Sequence, residues 1–165
     1  MNGSLQPQLM SVQELFSGSL FAVPEYQRAY AWEKKQWDDL WEDIKEGIRT
    51  STTHFLGTVV LMAQDSPHRD REGRSLRVFD VVDGQQRVTT LCLLLLAVYD
   101  HVRQVDDGIA RGLWQDFVKH EDSLLKLRLS GLNADYLNRL VDAVQHRVQS
   151  PPDPRSTNAR LRNAL

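Results

Sequence analysis

Asp83-Gly84-Gln85-Gln86-Arg87-Val88-Thr89-Thr90-Leu91 is the stretch whose reading decides the fold. An alternating run over residues 76–82 leads into it, and an apolar run over residues 91–98 leads out. Strand, glycine turn, polar cluster and buried helix, in that order, put a helix N-terminus at the turn with its free N–H groups outward. Asp83 is read as the N-cap, with Gln86 three residues on as in a capping box. A capped helix and nothing more would satisfy that pattern. Arg87 argues for more, because a cation in the first turn faces the positive end of the helix dipole. That placement is unfavourable unless an anion shares the site. Thr89 and Thr90 thicken the polar cluster, and the reading favours a phosphate-type ligand over a purely structural cap.

Composition sets the outer bounds. The chain has 165 residues, 41% of them hydrophobic and 25% charged, enough for a real core in a soluble protein. A net charge of −2 does not advertise nucleic-acid binding, so any such contact needs a local patch. The single cysteine, Cys92, excludes an internal disulfide and reads as a small buried hydrophobe rather than a nucleophile. The N-terminus lacks the basic and apolar regions of a signal peptide, and no apolar run is long enough to span a bilayer. The expectation is a cytoplasmic protein with no membrane partner.

Outward from the central stretch, Ser11 with Glu14 predicts a short capped helix over 11–16, ended by Gly18. Residues 21–32, Phe-Ala-Val-Pro-Glu-Tyr-Gln-Arg-Ala-Tyr-Ala-Trp, read as extended after Pro24. An extended segment would put Tyr26, Arg28, Tyr30 and Trp32 on one face, where aromatics and an arginine can stack on bases and pair with phosphate. A core role for Tyr30 and Trp32 competes with that reading and is preferred for Trp32; spacing alone leaves Gln27 and Arg28 open. Trp37, Leu40, Trp41, Ile44 and Ile48 make an amphipathic helix over 33–48. Its carboxylate-rich opposite face reads as solvated rather than metal-binding.

Residues 54–63 read as a buried strand with Gly57 as a bulge or a point of close approach. A polar hairpin tip over 64–75 carries Arg69, Arg71 and Arg74, and the strand over 76–82 is expected to pair antiparallel with the first. The helix after Gly84 runs to about residue 104, Asp106-Asp107-Gly108 is a turn, and a further helix covers 109–119. A short strand over 124–129 and a helix over 133–148, capped near Asn133 or Asp135, follow. The chain divides into a domain over 1–149, then a Pro-rich linker and the start of a following helical region over 150–165, and so reads as a fragment.

Two of these stretches together resemble a known family. Pro24-Glu-Tyr-Gln-Arg-Ala-Tyr-Ala-Trp32 and Asp83-Gly-Gln-Gln-Arg-Val-Thr-Thr-Leu91 are similar to the two signatures of the N-terminal domain of GmrSD-type (type IV) restriction proteins and SspE-like sensors of modified DNA. The Trp37–Trp41 helix, Phe55-Leu-Gly57 and Leu127–Leu129 agree with it, and the likeness covers residues 10–145.

The resemblance implies an α+β fold of ParB/sulfiredoxin type, a small mixed sheet with packed helices and a cleft at the turn. It implies a nucleoside triphosphate, GTP or UTP, hydrolysed with Mg²⁺ and coupled to recognition of modified DNA, phosphorothioate or glucosylated. Asp83, Gln85, Gln86 and Arg87 would be catalytic, with Asp83 at the metal. Gly84, Arg87, Thr89, Thr90 and Arg28 would hold the nucleotide. Pro24, Tyr26, Gln27, Arg28 and Tyr30 would meet DNA. The family's C-terminal nuclease domain would belong to the full-length protein, since the five His here are scattered. Two rivals remain, a binding module without turnover and a nuclease working from the Asp83 turn. No motif decides for or against a homodimer.

Overall fold

The computed structural model describes residues 6–120 and 124–147. Helix α1 (Val12–Phe16) opens with the expected capping box: the Ser11 hydroxyl accepts from Glu14 N–H, and the Glu14 carboxylate accepts from Ser11 N–H at 2.7 Å. Then come β1 (Ser19–Ala22), α2 (Lys34–Thr50), β2 (Val60–Ala63), β3 (His68–Arg69) and β4 (Ser75–Asp83). Helix α3 (Gln85–Val102) leads to α4 (Asp107–Leu113) and a π-helical turn, Trp114–Val118. Strands β5 (Lys119–His120), β6 (Leu124–Leu125) and β7 (Leu127–Arg128) precede α5 (Leu132–His146).

Strand β1 lies between β4 and β7 and runs parallel to both; β2 and β3 pair antiparallel with β4. The result is a mixed five-stranded sheet with packed helices, the expected α+β architecture, beside a small β5–β6 pair. One sheet face carries Phe21, Val81 and Leu127 into the main core against Val88, Leu93 and Leu96 of α3. Tyr136, Leu137, Leu140 and Val141 of α5 close the same core. Helix α3 is therefore covered on more than one side, which is why its leucines exceed a single stripe. Cys92 is buried there, and burial pushes its thiol well above the usual range, so it packs as a hydrophobe. No helix among the described residues is long and apolar enough to cross a membrane.

Several elements differ from the sequence reading, each for a local reason. Residues 21–32 are not one extended strand. After β1 the chain turns, with Gln27 N–H donating to Pro24 O at 3.0 Å, so the aromatics do not share a face. The strand expected over 54–63 begins only at Val60, because Gly57 adopts φ 99°, outside β geometry. Asp106 is not in a turn but caps α4, accepting from Ile109 N–H at 2.9 Å. Gly131, rather than Asn133 or Asp135, precedes α5. The linker at 150–154 and the helix at 157–165 lie outside the described residues.

Most carboxylates of α2 pair with lysines or Arg49 of the same helix, as in Lys34–Asp38 at 2.6 Å, while Asp43 meets His54 at 3.1 Å, and together they form a solvated face. The arginine-bearing hairpin is held by Asp70. Its carboxylate accepts from Glu72 N–H, Arg74 N–H and Arg74 Nε, and contacts His120 Nε2 at 3.2 Å. Burial alone would raise this carboxyl, but the hydrogen bonds from Arg74 and His120 outweigh it and hold it well below the carboxylate range. A folded-state value below the unfolded one adds stability in full above about pH 4, lost as the pH falls. Asp70→Asn should therefore flatten the loss of thermal stability between about pH 4 and 2; an acid limb like that of the parent would contradict this.

Candidate functional site

The two signature stretches meet at the carboxyl ends of the parallel strands β1 and β4, where α/β sheets characteristically bind ligands. What joins them is a pair of side-chain amides. Gln86 Oε1 accepts from Ala31 N–H at 2.6 Å and from Trp32 N–H at 3.3 Å, and its Nε2 donates to Ala29 O. Gln85 Nε2 donates to Arg28 O at 2.9 Å. From the other stretch, Gln27 Nε2 donates to Val82 O at 2.9 Å, next to the end of β4. Residues 24–32 have no ladder of their own, so these amides stand in for one.

Below the clamp runs a chain of oriented hydrogen bonds. Thr90 Oγ1 donates its single proton to Gln86 O at 2.8 Å, so Tyr30 Oη must donate to Thr90 Oγ1, 2.7 Å away. Tyr30 Oη in turn accepts from Trp37 Nε1 at 2.7 Å. Burial raises the Tyr30 phenol above its usual range against the opposing pull of Thr90 and Trp37, which keeps it a neutral donor. The chain ties residues 24–32, α2 and α3 into one body.

The helix start itself differs from the expected cap. Gly84, not Asp83, is the N-cap, at φ 85°. A Cβ on Gly84 would sit 3.1 Å from Thr58 O and from Val59 Cα, so the turn demands glycine twice over. Asp83 still belongs to β4, in register with Val60, and its exposed carboxylate makes no hydrogen bond or ion pair among the described residues. No side chain caps α3, whose first turn holds no acid and carries Arg87 instead. Arg87 Nη1 donates to Thr58 O at 2.8 Å, and among the described residues the guanidinium has no carboxylate partner. Uncapped N–H groups and an acid-free arginine together make a corner that can accept an anion.

A family model of the GmrSD restriction endonuclease N-terminal domain matches residues 12–163. The chain belongs to that family. A comparison with curated proteins gives no match. Both signature stretches, and nearly all of the described residues, fall inside the matched span of this GmrSD N-terminal domain.

Against this frame of hydrogen bonds, several roles expected from sequence need correcting. Tyr30 is 2% exposed, so it is a core residue and not a DNA contact. Thr90 is buried and bonded within the chain just described, and Thr89 is 1% exposed with its hydroxyl unpaired among the described residues. Neither threonine offers its hydroxyl at the mouth of the turn. Gln85 and Gln86 are buried with their amides on the 28–32 backbone, so they clamp the site rather than place water or metal at it. Gln27 likewise uses its donor on Val82 O. The groups left at the surface are Asp83, Arg28 and Tyr26, the last 74% exposed, with Arg87 and Pro24 half-buried. The expected cleft is thus a solvent-facing corner. The hairpin arginines Arg69, opposite Ser75, and Arg71 lie at the other end of β4, which is roughly 27 Å long at 3.4 Å per residue.

Sequence reasoning missed Gly57 as a partner of Arg87, although the glycine itself is a visible signal of close approach. Gln86→Ala should cost about 2–4 kcal/mol in urea denaturation, because it strands two N–H groups and a carbonyl. A loss under about 1 kcal/mol would mean that the clamp is not what orders residues 28–32.

Proposed function

We propose that this GmrSD N-terminal domain binds a nucleoside triphosphate, with GTP as the leading candidate, at the first turn of α3 and hydrolyses it with Mg²⁺. The nucleotide state would be tied to recognition of modified DNA, phosphorothioate or glucosylated, by a longer restriction protein carrying a nuclease domain. The ParB/sulfiredoxin-type reading of the sheet belongs to the same proposal. One observation carries it: Arg87 stands beside uncapped helix N–H groups without a carboxylate partner among the described residues. An arginine so placed suits a phosphate, which accepts from backbone N–H groups and a planar guanidinium together.

Asp83 fits a metal of this kind. Mg²⁺ is commonly held by one or two carboxylates and substrate phosphates, with water completing the shell, and a single exposed carboxylate beside a phosphate site matches that donor set. When bound, the ion would neutralise developing phosphate charge. Arg87 would hold the phosphate, and Gly84 would let backbone N–H groups approach it. Arg28, presented by the Gln85 clamp, adds a second cation at the same corner. Tyr26 and Pro24 offer apolar walls on the turn between them, suited to a modified DNA backbone that is softer and less hydrated than plain phosphate.

The engaged amides of Gln85 and Gln86 favour a second reading, a phosphate-gripping module without turnover. Purified protein mixed with GTP and Mg²⁺ separates the two by release of phosphate. Arg87→Ala should weaken GTP binding by about 10- to 100-fold, the worth of a charge-assisted hydrogen bond or two, with circular dichroism unchanged. It should also remove turnover. Unchanged affinity and turnover in a folded variant would reject the site.

A further inference from the structure

The segment just before β2 passes directly over the first turn of α3, and two glycines let it do so. A Cβ on Gly57 would lie 2.6 Å from Arg87 Cζ, 2.8 Å from Nη2 and 2.9 Å from Nε. A Cβ fits there only if the guanidinium moves aside. The flat face of the guanidinium therefore rests on the bare backbone of Gly57, which its φ of 99° also reserves for glycine. One residue on, Thr58 O accepts from Arg87 Nη1 at 2.8 Å and packs against Gly84. A long, rotamer-rich side chain is thus fixed from two directions, by a carbonyl at its tip and a backbone plane beneath it.

We propose that Gly57 and the Thr58 carbonyl are positioning groups that hold the Arg87 guanidinium ready for phosphate, an inference resting on the anion-binding reading of the α3 N-terminus. Ordering the side chain before the ligand arrives removes an entropic cost that binding would otherwise carry. Bonding Nη1 to Thr58 O still leaves other N–H groups of the five-donor fork with no partner among the described residues. Gly57 touches Arg87 and is assigned no contact with the ligand itself, so its effect on binding must travel through that one side chain.

A double-mutant cycle tests this, using Gly57→Ala in the parent chain and in Arg87→Ala, with thermal melting and the affinity for fluorescent N-methylanthraniloyl-GTP with Mg²⁺ as readouts. Removing the guanidinium removes the atoms that the new Cβ would strike, while the backbone strain at φ 99° stays in both backgrounds, so Gly57→Ala should lower Tm less in Arg87→Ala than in the parent. If Gly57→Ala alone does not fold, the double variant should recover folding. For GTP, Gly57→Ala should weaken binding by about tenfold in the parent and leave the affinity of Arg87→Ala unchanged. Equal loss of Tm in both backgrounds would overturn the proposal, as would an equal further loss of GTP affinity, since either describes a glycine acting on its own. A Tm coupling together with unaltered GTP affinity in both single variants would support the positioning contact and reject the nucleotide reading.

Discussion

Gln86 is the joint on which the site depends. Its amide makes three hydrogen bonds to a segment 55 residues earlier in the chain, and that segment has no other means of satisfying its backbone at Ala29, Ala31 and Trp32 among the described residues. The residues bonded are exposed or half-buried, so each lost bond costs roughly 0.5–1.5 kcal/mol, and losing all three would loosen residues 28–32. The clamp also fixes a direction. Because Gln86 sits in the first turn of α3, whatever orders residues 24–32 does so at the carboxyl ends of β1 and β4. The Arg28 backbone is therefore held by Gln85 at the start of α3.

The same corner is closed from the other side by backbone rather than side chains. Gly57 and Gly84 both hold positive φ, and both have a neighbour where a Cβ would be. They allow residues 57–59 to nest between β4 and α3, and in doing so deliver the Thr58 carbonyl to Arg87. Clamp and strap act on different groups: amides order the chain after β1, and glycines order the guanidinium. Arg28 and Asp83 are exposed, and no hydrogen bond or ion pair engages either side chain among the described residues.

Much of this was legible in the sequence, and the misses share a cause. The strand, glycine and apolar helix around Gly84 fix the turn, and the helix-dipole argument at Arg87 needs no tertiary knowledge. The capping box at Ser11 and Glu14 is local, and it forms. An amide is ambiguous by nature: Gln85 and Gln86 could serve a ligand or a backbone, and only the fold brings residues 28–32 within reach. Tyr30 was misplaced because alternation was counted across a turn, where the period of two stops applying. Asp83 looked like a cap because nothing local shows that Val60 keeps it in the sheet. Gly57 announced a close approach, but its partner lies 30 residues on, beyond any spacing rule.

The central claim is that the first turn of α3 with Arg87 is an anion site whose natural occupant is a nucleotide phosphate. The most direct measurement is a titration of the isotopically labelled protein with GTP and Mg²⁺, followed by backbone amide and arginine Nε resonances. The account predicts that the largest shifts fall on the amides of Gly84, Gln85, Gln86 and Arg87, on the Arg87 Nε–H and on Gly57, with the hairpin around Arg69 and Arg71 unmoved. Shifts centred on that hairpin or on α2, with the α3 turn silent, would contradict it.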